Sequence, residues 1–150
     1  MSASFHTTSL VWDAHACFPL NPNAELSELQ RYKNSGVNFV SINIGMDIDR
    51  VEKIVQILAG FRKFILARPD EYILVRSVHD IKKAKETNRL AVAFDLEGSE
   101  PLLGNVALVS FYYDLGVKQM LLAYNKDNRA SGGCMEGNIG LTKFGREVIE

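Results

Sequence analysis

The sequence predicts an α/β protein built on a mainly parallel sheet, and three observations carry that prediction. Five short apolar runs recur along the chain, segments with helical spacing lie between them, and runs such as "VNFVSINI" are apolar on both faces. Strands that alternate with helices pair in parallel, and a strand apolar on both sides needs cover on both sides or closure into a barrel. The strand candidates are 10–16 ("LVWDAHA"), 37–45 ("VNFVSINIG"), 72–77 ("YILVRS"), 90–98 ("LAVAFDLEG") and 117–124 ("VKQMLLAY"). The first helix is expected over Ala24–Ser35, where Gly36 stops it. The second runs over Ile48–Ala67 on a wide apolar stripe and ends before Pro69. Val78–Thr87 and Val106–Leu115 follow, the latter closed by Gly116. Thr142 is the expected N-cap of a last amphipathic helix, "KFGREVIE".

Five strands and a further helix make about half of an eight-stranded (β/α) barrel, which typically takes roughly 250 residues. Residues 1–150 are therefore expected to be the N-terminal portion of a single (β/α) barrel domain, a TIM barrel. A complete open-sheet domain, with the last helix as its lid, is the alternative. No internal repeat or Pro/Gly-rich linker divides the chain.

Composition narrows the class. With 47% apolar and 23% charged residues the chain reads as soluble and globular, and a net charge of −1 gives no basic surface for nucleic acid. "MSASFHTTSLVW" has neither the leading positive charge nor the apolar run of a signal peptide, so a cytoplasmic protein without membrane association is expected. In that compartment Cys17 and Cys134 are expected to be free thiols.

Three groups of residues carry candidate chemistry. His15 and Cys17 stand two apart in an extended segment and leave the same face, which Asp13 shares. Imidazole and thiolate are zinc donors, although a core histidine and a small buried cysteine would produce the same local pattern. Asp95 and Glu97 repeat that geometry on an apolar strand, where carboxylates need a Lys or Arg partner, a proton or a cation. In a barrel the C-terminal ends of the strands converge, so Asp13, His15, Cys17, Asp95 and Glu97 could meet. The third group, Tyr124, Asn125, Asn128, Arg129 and Ser131 in "YNKDNRASGGC", reads either as a solvated turn or as a binding loop for a small polar ligand. His6 and His79 are set aside as ligands.

Four blocks in order resemble the renal (membrane) dipeptidase family of zinc dipeptidases with amidohydrolase-like barrels. "WDAHACFPL" resembles the family's opening Asp-Gly-His-x-Asp strand, and "SVHDIKKAKETNRLAVAFDLEG" its helix and strand ending in Glu-Gly. "FYYDLGVKQMLLAYNKDNRASGG" resembles the Tyr-x-Leu-Gly-Val-Arg segment that runs into Thr-His-Asn, and "GLTKFGREVIE" the helix that follows. The resemblance implies His15 as the first zinc ligand and Glu97 as a carboxylate bridging two zinc ions. Cys17 then stands where the family has a ligand Asp, and Tyr124 where it has a substrate-contacting His. Asp95, where the family tends to have a small residue, is a candidate supplementary carboxylate. Asn125 and Arg129 join Tyr124 as candidate substrate contacts.

The implied activity is zinc-dependent hydrolysis of a dipeptide or related small amide through a metal-activated hydroxide, with a homodimer left open. The other reading is a diverged, non-catalytic barrel used as a binding or structural module. Its support is the pair of departures at Cys17 and Tyr124.

Overall fold

The computed structural model describes residues 8–137 and 139–150, so His6 lies outside the described residues. The elements are β1 (Trp12–Ala16), α1 (Leu29–Asn34), β2 (Phe39–Met46), α2 (Val51–Leu66), β3 (Tyr72–Leu74), α3 (Val78–Glu86), β4 (Leu90–Glu97), a 3-10 turn (Glu100–Leu102), α4 (Ala107–Leu115), β5 (Val117–Met120) and α5 (Lys143–Ile149). Among the described residues these strands pair in parallel, and one isolated antiparallel bridge joins Ser131 to Leu141.

The third apolar run behaves differently from the other four. β2 pairs directly with β4, while β3 lies beside the start of β4 (Tyr72↔Leu90) and β5 beside its later part (Phe94↔Val117). The strand order is β1-β2-β4-β3, with β3 a short edge piece, and β5 pairs with β4 off that path. The cause is local. Asp80 accepts the backbone N–H groups of Arg76 at 2.9 Å and Ser77 at 2.8 Å, which commits the end of "YILVRS" to the start of α3.

Other boundaries moved as well. The helix α1 starts at Leu29 rather than near Ala24, preceded by an Asx turn in which the Asn21 side chain accepts the N–H of Asn23 at 2.9 Å. Asp49 likewise accepts the N–H of Met46 at 3.0 Å, and α2 starts at Val51. Thr142 does cap α5, its hydroxyl accepting the N–H of Gly145 at 3.0 Å. Gly116, at φ 107°, ends α4 in a conformation that disfavours a β-carbon.

Each face of the sheet has its own cover. Val40, Ile42, Ile44, Val92, Phe94 and Leu96 pack against Ile54, Ile57, Leu58, Phe61 and Ile65 of α2. The opposite face begins with Phe39, Ala91 and Ala93, closed by Val75 and by Ile81 and Ala84 of α3. Lys85 of α3 donates to the carbonyls of Thr8 and Ser9 and to the Asn38 side chain, so α3 lies at the N-terminal ends of the strands.

Candidate metal centre

All three ladders through the centre of the sheet change register near their C-terminal ends. Asp13↔Val40 is followed by Ala16↔Ile42, Asn43↔Asp95 by Met46↔Glu97, and Phe94↔Val117 by Asp95↔Gln119. In each case the neighbour spends one more residue than its partner, the count of a β-bulge, which re-aims the side chains beyond it.

The first bulge decides which residues of β1 reach the site. Before it, Asp13 is opposite Val40 and shares its α2-side face; after it, Ala16 takes that face opposite Ile42 and His15 turns to the other. The expectation that Asp13 shares a face with His15 is corrected accordingly. Asp13 instead accepts the backbone N–H of His15 at 3.2 Å.

His15 stands between two carboxylates of β4. Its Nδ1 is 2.9 Å from Asp95 Oδ1, and its Nε2 is 2.8 Å from Glu97 Oε1. Cys17 Sγ lies 3.4 Å from the same Nε2. One donor atom each from His15, Cys17 and Glu97 falls within 4.8 Å of the others. Asp95 stands outside that triad, on the Nδ1 side of the ring. The donor set suits zinc: tetrahedral bonds of about 2.0 Å to nitrogen and 2.3 Å to sulfur put those two atoms about 3.5 Å apart. The Cys17–His15 separation is already of that size. Burial, reinforced by the charges of Glu97 and Asp95, pushes the Cys17 thiol above its ordinary range. A bound cation reverses that balance, because a coordinating sulfur is a thiolate.

Two buried polar residues that sequence reasoning passed over complete the centre. Ser41 donates to Asp95 Oδ2 at 2.7 Å and Asn43 to Asp95 Oδ1 at 3.4 Å. Their signal was present as two polar interruptions, two apart, in "VNFVSINIG". Asp47 was missed as well. Its carboxylate accepts the N–H of Glu100 at 3.0 Å and the Asn128 amide at 3.1 Å, tying the ends of β2 and β4 to the loop after β5. A β-carbon on Gly98 would stand 1.9 Å from Asp47 Oδ1, and its φ is +127°, so glycine is required beside this latch.

A cavity of about 300 Å³ opens over the centre, lined by His15, Asp95, Glu97, Gln119, Met120 and Tyr124 among others. Tyr124 reaches it from irregular chain, since β5 ends at Met120. The rest of the candidate loop is engaged elsewhere. Asn125 holds the Cys134 thiol at 3.4 Å, Arg129 is ion-paired with Glu100, and Asn128 accepts the N–H groups of Ala130 at 2.8 Å and Ser131 at 3.0 Å. Cys17 and Cys134 are both free and exposed. Among the described residues, no helix is long and apolar enough to cross a membrane.

Comparison with known proteins follows the same outline. The profile of the membrane dipeptidase family, peptidase family M19, matches residues 10–150. An uncharacterized dipeptidase of Schizosaccharomyces pombe is 24% identical over 106 residues, which cover 69% of this chain and 26% of that protein. An amidohydrolase from Pseudomonas aeruginosa superposes with a TM-score of 0.85 at 25% identity, over 98% of this chain and 44% of its own. A metallo peptidase from Rhodobacter sphaeroides, solved with a phosphinate mimic of the dipeptide L-Ala-D-Ala, has a TM-score of 0.76 at 14% identity, over 93% of this chain and 54% of its own. The chain spans about a quarter of the curated relative, 26%, and about half of these solved structures, 44% and 54%.

Proposed function

Since the chain belongs to the membrane dipeptidase family, peptidase family M19, we propose that residues 1–150 are the N-terminal portion of a single (β/α) barrel domain that hydrolyses a dipeptide or related small amide. The observation that carries this reading is the convergence of His15, Cys17 and Glu97 donor atoms within 4.8 Å at the C-terminal end of a parallel sheet. These three residues would hold zinc, with Glu97 supplying a carboxylate to a two-zinc centre completed by the ligands of the full-length protein. Cys17 in place of aspartate keeps one negative charge while exchanging hard oxygen for soft sulfur, which favours zinc over magnesium or manganese. When bound, the metal polarises the scissile carbonyl and acidifies water.

The residues of this chain supply the surroundings. Tyr124 offers a phenolic donor at the cavity, where it orients the substrate without the charge that a histidine could carry. Asn125 and Arg129 add substrate contacts on release from Cys134 and Glu100. A cytoplasmic location and a homodimer belong to the same reading.

The test is Glu97→Gln in the natural full-length protein. Hydrolysis of an alanine dipeptide and zinc content should both collapse. Unchanged turnover with unchanged metal would refute the role of Glu97. The second reading, a non-catalytic module, is favoured by Tyr124 at the cavity. Elemental analysis separates the two, with about two zinc ions per chain expected for the hydrolase and none for the module.

A further inference from the structure

Asp95 sits near the end of a strand that is otherwise apolar up to Leu96, and its side chain is only 4% exposed. A carboxylate withdrawn from water requires donors. From the strands on one side, the Ser41 hydroxyl at 2.7 Å and the Asn43 amide at 3.4 Å donate to it, and Nδ1 of His15 stands 2.9 Å away, within hydrogen-bond distance. Ser41 and Asn43 are buried too, and Asn43 is opposite Asp95 in register. This is a built arrangement, since each of the three polar residues would be costly on its strand without the others.

The geometry points to Asp95 as a positioning residue that holds the His15 ring by Nδ1, so that Nε2 on the far side faces Cys17 and Glu97. His15 needs such a hold. Its side chain is 42% exposed at the end of an edge strand, where the ring would otherwise sample several rotamers. Ser41 and Asn43 in turn fix the carboxylate, so the orientation of an exposed imidazole is set from the buried middle of the sheet. A carboxylate behind a ligating histidine fixes its tautomer and raises its basicity. The consequence for metal rests on the function proposed above, whereas the hold on His15 exists without an ion.

The experiment uses the natural full-length protein with 15N-labelled histidine, in which His15→Ala assigns the signal. The unaltered chain should show a downfield, exchange-protected Nδ1–H proton from His15. Asp95→Ala should lose it, while Asp95→Asn should keep it at higher field, because an amide oxygen still accepts. Titration with Co2+, read by the thiolate-to-cobalt absorption, should weaken by about tenfold to a hundredfold in Asp95→Ala, with Asp95→Asn between the two. Ser41→Ala leaves the carboxylate in place and should shift the Nδ1–H resonance even if Asp95→Ala does not fold. Survival of the Nδ1–H signal in Asp95→Ala, cobalt affinity there within about twofold of the unaltered chain, or an unmoved resonance in Ser41→Ala overturns the assignment. An Asp95-dependent signal in a chain that takes up no cobalt upholds the positioning role and removes the metal reading instead.

Discussion

One face of the sheet carries two regions that differ in every respect except their strands. Towards the N-terminal ends, Phe39, Ala91 and Ala93 meet Ile81 and Ala84 of α3 in an apolar contact. Towards the C-terminal ends, the same strands present Ser41, Asn43, Asp95 and Glu97 to His15 and an open cavity. Asn43 follows Phe39 by two strand repeats, so the change from packing to chemistry occurs within the length of one strand. The lower region needs only shape and hydrophobicity, whereas the upper one holds polar groups that must satisfy each other. Stability and chemistry are thereby divided along the strand direction, as parallel barrels divide them between their two ends.

The sharpest way to break that division is to cut into the lower region. Phe39→Ala should cost about 3–5 kcal/mol of unfolding free energy, measured by urea denaturation, because it leaves a cavity beneath α3. If the regions are separable, cobalt affinity of the folded protein should stay near that of the unaltered chain; an equally large loss of affinity would show that they are one unit. The upper region should respond differently. Ser41→Ala alone should cost about 1.5–3 kcal/mol by removing a donor from a buried carboxylate, whereas the same change made in an Asp95→Ala background should cost much less, since the acceptor it serves is already gone. A double-mutant cycle by thermal unfolding measures the difference. Additive losses would mean that the polar network is not coupled.

The smallest effect on stability is expected at Cys17, where Cys17→Asp should stay within about 0.5 kcal/mol at an exposed position. Its effect on pH dependence is larger. Because the Cys17 thiol is pushed up by burial and by the charges of Glu97 and Asp95, binding a metal must expel its proton. Zinc affinity should therefore fall about tenfold for each unit that the pH drops through neutrality, and Cys17→Asp should flatten this limb, because a carboxyl group gives up its proton far more readily than a thiol. Competition with a chromophoric chelator across pH reads the slope; equal slopes would remove Cys17 from the ligand set. In the metal-free protein the sign is the reverse of that for a carboxylate whose value is lowered on folding. A raised thiol value favours the folded state fully below the ordinary thiol range and loses that contribution as pH climbs through the raised value.

Much of this was legible from spacing alone. His15 with Cys17 and Asp95 with Glu97 are two-residue repeats at the ends of apolar runs, and the structure brings the four side chains together. Asp13 has the same spacing and was misplaced, because a bulge between β1 and β2 leaves no local mark in "WDAHA". Ser41 and Asn43 gain meaning only once β2 is known to lie against β4, an adjacency that an intervening third strand would have prevented. Arg129 looked available for a ligand until its partner, Glu100, was found beyond another strand.

The sequence by itself determined the class of the fold, the approximate positions of its strands, the caps at Gly116 and Thr142, and the donor types at His15, Cys17 and Glu97. Those properties follow from periodicity, turn chemistry and side-chain chemistry, which are local. Tertiary structure alone decided that β3 is an edge piece, that Asp13 turns away, that Asp95 meets Nδ1 while Glu97 and Cys17 meet Nε2, and that Ser41 and Asn43 stand behind them. Those depend on register between strands far apart in the chain, where one extra residue in a ladder sends every later side chain to the opposite face.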